Sequence, residues 1–246
     1  MLSKAVVVLQ GSRKPLPMDY PKGLTAAILA KIGEFSPEMA ATIHDGTNAY
    51  RNSYKVFKPL SHSLLIGVPF STEKRVYEPG ETVCFYLGWR EDVVSAFKSA
   101  AQKNSFFEIS GVSFQIAAVA DLDPSPPVRT FNAWGPVLAT VSGRKLNINY
   151  SYTYLAAEKI GEFIEAVKNN LITKYEAVYG KPYEGELSLS VERPRSVVLR
   201  WSEEVSVKGV AGRFRLDCSK ELLAFAHSVG LGCKNSIGFG CLTSAV

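Results

Sequence analysis

The chain reads as an α+β protein made of two successive βαββαβ units, and three observations carry that reading. Short β-branched or aromatic runs alternate with segments of helical apolar spacing. The order strand, helix, two strands, helix, strand runs through the 246 residues twice. Between the two runs lies Asp121-Leu-Asp-Pro-Ser-Pro-Pro127, which can continue neither a helix nor a central strand.

Lys4 to Leu9 is β-branched and stops at Gln10-Gly11-Ser12, as a strand does. Leu24, Ala27, Ile28 and Ile32 recur at helical spacing. Ser36-Pro37-Glu38 opens a second, short helix with Ser36 as N-cap. Met39 and Ile43 form its buried face, Gly46 stops it, and His44 falls in its last turn. Tyr54–Phe57, Ser63–Phe70 and Val83–Trp89 read as strands, with His62 in a solvated turn. Glu91–Ala101 reads as a helix, and 106–120 as strand broken at Gly111.

In the second run, Pro136–Val141 reads as a strand and Leu155–Val178 as a long helix ended by Gly180. Strands follow at Glu186–Val191, Ser196–Trp201 and Arg213–Cys218, with a turn at Arg193-Pro-Arg195. Ser219 caps a helix through Val229, and Ile237–Thr243 is the last strand. Each half follows the split ferredoxin-like order, giving expected domains at 1–120 and 128–246. That order hosts many functions and assigns none.

Formal net charge is +5, and the stretch Arg193–Arg215 carries +4 of it through Arg193, Arg195, Arg200, Lys208, Arg213 and Arg215 against Glu203 and Glu204. This is a basic hairpin, flanked by Trp201 and Phe214, suited to the phosphates of a nucleic acid. Lys22, Lys31 and Lys181 read as surface lysines. The cysteines 84, 218, 233 and 241 form no CxxC pair, so neither a metal nor a cofactor is expected. The N-terminus has no secretory pattern and no apolar run spans a bilayer, which fits a cytoplasmic protein without membrane contact.

The densest motif is Gly230-Leu-Gly-Cys-Lys-Asn-Ser-Ile-Gly-Phe-Gly240. Glycines admit close backbone approach, and successive amides can make an anion-binding concavity. Lys234, Asn235 and Ser236 add a charge and directional hydrogen bonds. The pattern is neither GxxxxGK[ST] nor GxGxxG. Its other reading is a turn built for tight packing.

This segment resembles the C-terminal glycine-rich motif of the CRISPR-associated repeat-RNA processing endoribonucleases, the sixth Cas family, of the RAMP superfamily. Leu171–Pro182, Thr130–Val137 and Ser36–Asp45 are similar to further segments of that family in the same order. The resemblance implies two tandem ferredoxin-like, RRM-like domains and metal-independent cleavage of CRISPR precursor RNA within each repeat. CRISPR repeat RNA is the implied partner, Cas effector subunits are possible further ones, and monomer and homodimer both remain open.

Such cleavage uses the RNA 2′-OH as nucleophile, with a base, an acid and a cation for the phosphorane, leaving 5′-OH and 2′,3′-cyclic phosphate ends. His44 suits acid or base work, because imidazole titrates near neutrality. By resemblance Lys55 is the charge-steadying lysine, with Lys58 as rival. Members of the family with a full triad carry a tyrosine in the first helix, and Leu24–Lys31 has none, so one of Tyr20, Tyr50 and Tyr54, which are nearby in sequence, is the candidate substitute. The RNA path is expected over Arg193, Arg195, Arg200, Lys208, Arg213, Lys234, Asn235 and Ser236. The competing reading is a non-catalytic repeat-RNA-binding subunit. A third is a small anionic ligand at the glycine loop.

Overall fold

Burial alternates along the apolar run of β1 (Leu2–Gly11), with Ala5, Val7 and Leu9 inward, and this strand becomes the centre of the first sheet. The computed structural model describes residues 1–11, 13–47, 49–52, 55–123, 128–142, 152–201 and 204–244. After β1 come α1 (Tyr20–Phe35) and α2 (Pro37–Asp45), divided at Ser36, whose hydroxyl accepts from the Met39 amide at 3.3 Å. Gly46, at φ 76°, ends α2 in the left-handed region.

Then follow β2 (Tyr50–Asn52), β3 (Lys55–Phe57), β4 (Leu60–His62), β5 (Phe70–Ser71), β6 (Val76–Tyr77), β7 (Thr82–Arg90), α3 (Glu91–Lys103), β8 (Phe106–Ile109) and β9 (Val112–Leu122). The sheet order is β4-β7-β1-β9-β8, with antiparallel neighbours. Its first four strands have the ferredoxin-like order, and β8 is an added edge. Ala5, Val7, Leu9, Phe85 and Leu87 pack under Leu24 and Ile28 of α1 and Val94 and Phe97 of α3. Each large side chain so buried contributes about 1.5–3 kcal/mol.

The second half comprises β10 (Thr130–Trp134), β11 (Thr140–Ser142), β12 (Tyr152–Tyr154), α4 (Ile160–Tyr179), β13 (Ser188–Arg200), β14 (Ser206–Asp217), α5 (Lys220–Val229) and β15 (Cys241–Ser244). The order β13-β14-β10-β15 repeats the arrangement, so the fold is α+β with tandem ferredoxin-like units. Phe163, Val167, Leu171 and Tyr175 of α4 join Phe131, Phe214, Phe225 and Val229 in a second core.

The two units meet through buried polar contacts. Lys4, on β1, donates from Nζ to the His227 carbonyl at 2.7 Å and to the Leu242 carbonyl. Gly88 of β7 lies so close to Ser228 that an added Cβ would stand 2.7 Å from its carbonyl oxygen.

Several sequence expectations change. Ser63–Phe70 is not one strand: apart from a bridge at Ile66 and Phe70, which opens β5, it is loop, because Leu64 packs with Leu138 and Phe239 while Leu65 joins the first core. His62 is fully buried rather than solvated. Its Nδ1 lies 2.9 Å from the Ser63 carbonyl and its Nε2 3.1 Å from Thr25 Oγ1. Burial pushes its pKa down to about 4. Lys31 is buried too, bonded to Glu34 and the Asn104 carbonyl.

The sheet strand of the second unit is Thr130–Trp134, ahead of the expected Pro136–Val141. Arg193-Pro-Arg195 is no turn: β13 is continuous, with a bulge between Glu192 and Arg195 that accommodates Pro194. The last strand starts only at Cys241, since Asn235–Ile237 winds as a short 3₁₀ turn. Of the expected linker, Asp121 and Leu122 end β9, and 124–127 lie outside the described residues.

Candidate functional site

The glycine segment forms a knot between α5 and β15. Gly230, Gly232, Gly238 and Gly240 all have positive φ, and so does Lys234 at 61°. A Cβ on Gly232 would stand 2.9 Å from Val137 Cγ1 and closer still to the Leu138 carbonyl oxygen. The amides of Leu231 and Cys233 donate to the Gly240 and Leu138 carbonyls at 2.9 and 2.8 Å, and those of Ile237 and Gly238 stay within the loop. Tight packing therefore consumes much of the expected amide concavity.

Asn235 changes role as well. It is 5% exposed, and its Nδ2 donates to the Leu231 and Phe239 carbonyls at 2.9 and 2.8 Å. Its Oδ1 accepts from Lys174 Nζ at 2.6 Å. With these atoms spent inside the protein, its side chain holds the loop together instead of reaching out to RNA.

Lys234 and Ser236 line one side of a cleft of about 520 Å³. Lys55, Val56, Phe57 and Lys58 form another side, and Trp89, Tyr154, Asn170 and Lys174 complete its polar and aromatic lining. Four lysines face this space, and no carboxylate stands among the described lining residues. Burial lowers the pKa of Lys55 and pushes that of Lys174 down to about 7, with Lys55 adding to the second shift. Burial likewise raises the Tyr154 hydroxyl and the Cys233 thiol. The Trp89 Nε1 donor and the Asn170 Oδ1 acceptor are buried without a hydrogen-bond partner among the described residues.

His44 stands at the end of α2 with its side chain 74% exposed and Nδ1 2.9 Å from Asp45 Oδ1. Its carbonyl accepts from Lys58 Nζ, so the helix end that carries the imidazole is tied to a residue lining the cleft. Lys55 reaches the cleft directly. The tyrosines do not gather around them. Tyr20 is a core residue, in edge contact with Tyr77 at 4.8 Å, and burial raises its hydroxyl pKa. Tyr50 stacks on Trp89 at 6.1 Å and lines a separate depression, sharing only Trp89 with the cleft. Tyr54 lies outside the described residues.

On the β13–β14 ribbon, Arg193, at φ 49°, and Arg195 are exposed at the bulge. Lys208 pairs with Glu158 at 3.7 Å, Arg213 with Glu192 at 3.9 Å and Arg215 with Asp217 at 3.0 Å. Such exposed pairs are worth about 0–1 kcal/mol, so a phosphate can displace them. Arg200 is half-buried near the end of β13. Phe214 belongs to the core and Trp201 packs on Phe239 at 6.1 Å, so Phe214 offers no stacking face.

Sequence reading missed Lys174, Tyr154 and Trp89. For Lys174 a signal existed: it continues the α4 stripe Phe163, Val167, Asn170, Leu171, which is the face that packs inward. Among the described residues no cluster of three His, Cys, Asp or Glu side chains could hold a metal, and no helix is long and apolar enough to cross a membrane.

Residues 123–244 match the family described as CRISPR associated protein Cas6, C-terminal. The chain is 24% identical over 241 residues to the CRISPR-associated endoribonuclease Cas6 1 of Methanocaldococcus jannaschii, covering 93% of this chain and 87% of that protein. Its fold is similar to the product of a Cas6-related gene from Pyrococcus furiosus, with a TM-score of 0.81, 18% identity and 99% and 98% of the two chains covered. It is also similar to a RAMP protein described as binding different RNA substrates, with a TM-score of 0.79, 19% identity and 98% of each chain covered. The glycine loop sits in the matched region, and residues 123–244 belong to the Cas6 C-terminal family of CRISPR-associated proteins.

Proposed function

We propose that this protein is an endoribonuclease that cuts CRISPR precursor RNA within its repeats, without a metal ion. The observation that carries the reading is the cleft whose charged lining is four lysines, tied through Lys58 to the helix end bearing His44. The family relation supports the substrate: the Methanocaldococcus jannaschii relative is named an endoribonuclease.

In this reading an RNA 2′-OH gives up its proton as its oxygen attacks the adjacent phosphorus. The bond from phosphorus to O5′ breaks, and O5′ takes a proton. The products end in a 2′,3′-cyclic phosphate and a 5′-OH. His44 serves as acid or base, and its exposure leaves Nε2 open to substrate while Nδ1 is held by Asp45. Lys55 steadies the phosphorane charge, with Lys58 and Lys234 beside it. Arg193, Arg195, Arg200, Lys208 and Arg213 hold RNA through phosphates, and Ser236 adds a hydrogen bond at the cleft. Residues 1–120 and 128–246 act as two domains that bring His44 and the glycine loop to one substrate.

The test is incubation with cognate repeat RNA in excess EDTA, with His44→Ala in parallel. Cutting by the unaltered protein alone supports the reading. One observation favours a second reading, a non-catalytic repeat-RNA-binding subunit: Tyr20 is locked in the core and Tyr50 is stacked on Trp89. Tight binding without cutting would select it.

A further inference from the structure

Lys174 sits on the buried face of α4, 1% exposed, where a lysine is costly unless its charge is used. Its Nζ donates to Asn235 Oδ1 at 2.6 Å and to the Gly230 carbonyl at 3.1 Å. Asn235 in turn clasps Leu231 and Phe239. One amino group therefore ties both limbs of the glycine loop to α4, and Lys234 and Ser236 flank Asn235 on the cleft.

We propose that Lys174 is a positioning residue of the cleft: it fixes where Lys234 and Ser236 meet the RNA backbone, and it gains a proton when that backbone arrives. The inference rests on the RNA reading above.

The surrounding groups argue for the proton. Lys55 of β3 faces Lys174 and repels its ammonium form. Cys233 of the loop would attract it as a thiolate, but burial holds that thiol neutral. Lys234 beside Cys233 and Lys58 after β3 add positive charge, Tyr154 of β12 is held neutral by burial, and Asn170 one turn earlier is uncharged. The cleft thus lacks the anion that would stabilise the ammonium, and near neutrality much of Lys174 is the free amine. A phosphodiester between Lys55 and Lys234 supplies that charge. Proton uptake on binding means that affinity falls as pH rises above about 7, by up to about tenfold per unit for one proton.

The experiment is calorimetric titration of repeat RNA into the His44→Ala protein at about pH 7.5, in buffers of different ionisation enthalpy. That background stops cutting and removes the exposed imidazole from the proton count. The expected result is uptake of a large part of one proton. Adding Lys174→Met should abolish it and weaken binding about tenfold, with a flatter pH profile. Lys174→Arg, charged throughout, should bind without uptake. RNA binding with no uptake, or with uptake undiminished by Lys174→Met, overturns the inference and leaves the RNA reading standing. The first of those outcomes needs no Lys174 variant to fold. Absence of RNA binding by the His44→Ala protein overturns the RNA reading, and the inference with it.

Discussion

Gly232→Ala tests whether the glycine loop is held by close backbone packing. Gly232 has φ 67°, which costs an alanine about 1–2 kcal/mol. The new methyl would lie 2.9 Å from Val137 Cγ1 and closer still to the Leu138 carbonyl oxygen, and relieving such an overlap in a packed region costs about 1–3 kcal/mol. That same carbonyl accepts from the Cys233 amide at 2.8 Å, so its displacement forfeits a hydrogen bond of about 1 kcal/mol. The total is roughly 3–6 kcal/mol, a large part of a native stability of about 5–15 kcal/mol. For a chain of this size it lowers the melting temperature by about 6–24 °C. Thermal and urea unfolding followed by circular dichroism measure it. Gly161→Ala is the control: it lies in the first turn of α4 with nothing within 4 Å of its added Cβ, and should be neutral or stabilising by up to about 1 kcal/mol. A loss below about 1 kcal/mol at Gly232 would refute the packing argument.

Three further outcomes are expected. His44→Ala should slow single-turnover cleavage of repeat RNA by about 10²–10⁴ while the dissociation constant stays within a few-fold, as read by gel shift. Arg193→Ala or Lys208→Ala should weaken RNA binding and reduce the slope of log affinity against log salt by about 0.7–0.9 per lost phosphate contact, with cleavage at saturating protein unchanged. A cleavage loss equal to that of His44→Ala would contradict the assignment. His62 binds its proton more weakly folded, at about 4, than unfolded, at about 6.5, so acid favours the unfolded chain. Stability should begin to fall as pH drops below about 6.5 and lose about 3 kcal/mol by the time it passes below 4. His62→Gln should flatten that decline in urea titrations across the range.

The helices were legible because their ends are written locally: Ser36-Pro37 and Gly46 bound α2, Gly180 stops α4 and Ser219 caps α5. Elements shaped by distant contacts were not. Leu64 and Leu65 look like neighbours in a strand, yet they pack into different clusters, one of them shared with the second unit. His62 reads as a residue of a solvated turn, but Ser61, His62 and Ser63 are all buried, and an alanine Cβ at Gly238 would lie 3.1 Å from the His62 ring. The cleft is assembled from β3, β7, α4, the approach to β11 and the glycine loop, so no contiguous motif announces it. His44 and Lys55 were reached through a resemblance, and Lys234 and Ser236 through the glycine motif. Lys174 escaped because a lysine on a helix is ordinarily a solvated one.

Lys4 bears on how the chain is made. Its side chain is buried in the first strand, and its acceptors, the carbonyls of His227 and Leu242, arrive more than 220 residues later. A growing chain that has completed the first ferredoxin-like unit therefore carries a cation that must stay in water, on the face where the second unit will settle. This face closes only when α5 and β15 have been synthesised. Docking of the two units therefore waits for α5 and β15, and a chain halted before Leu242 keeps an open, charged seam where the finished protein has a sealed one.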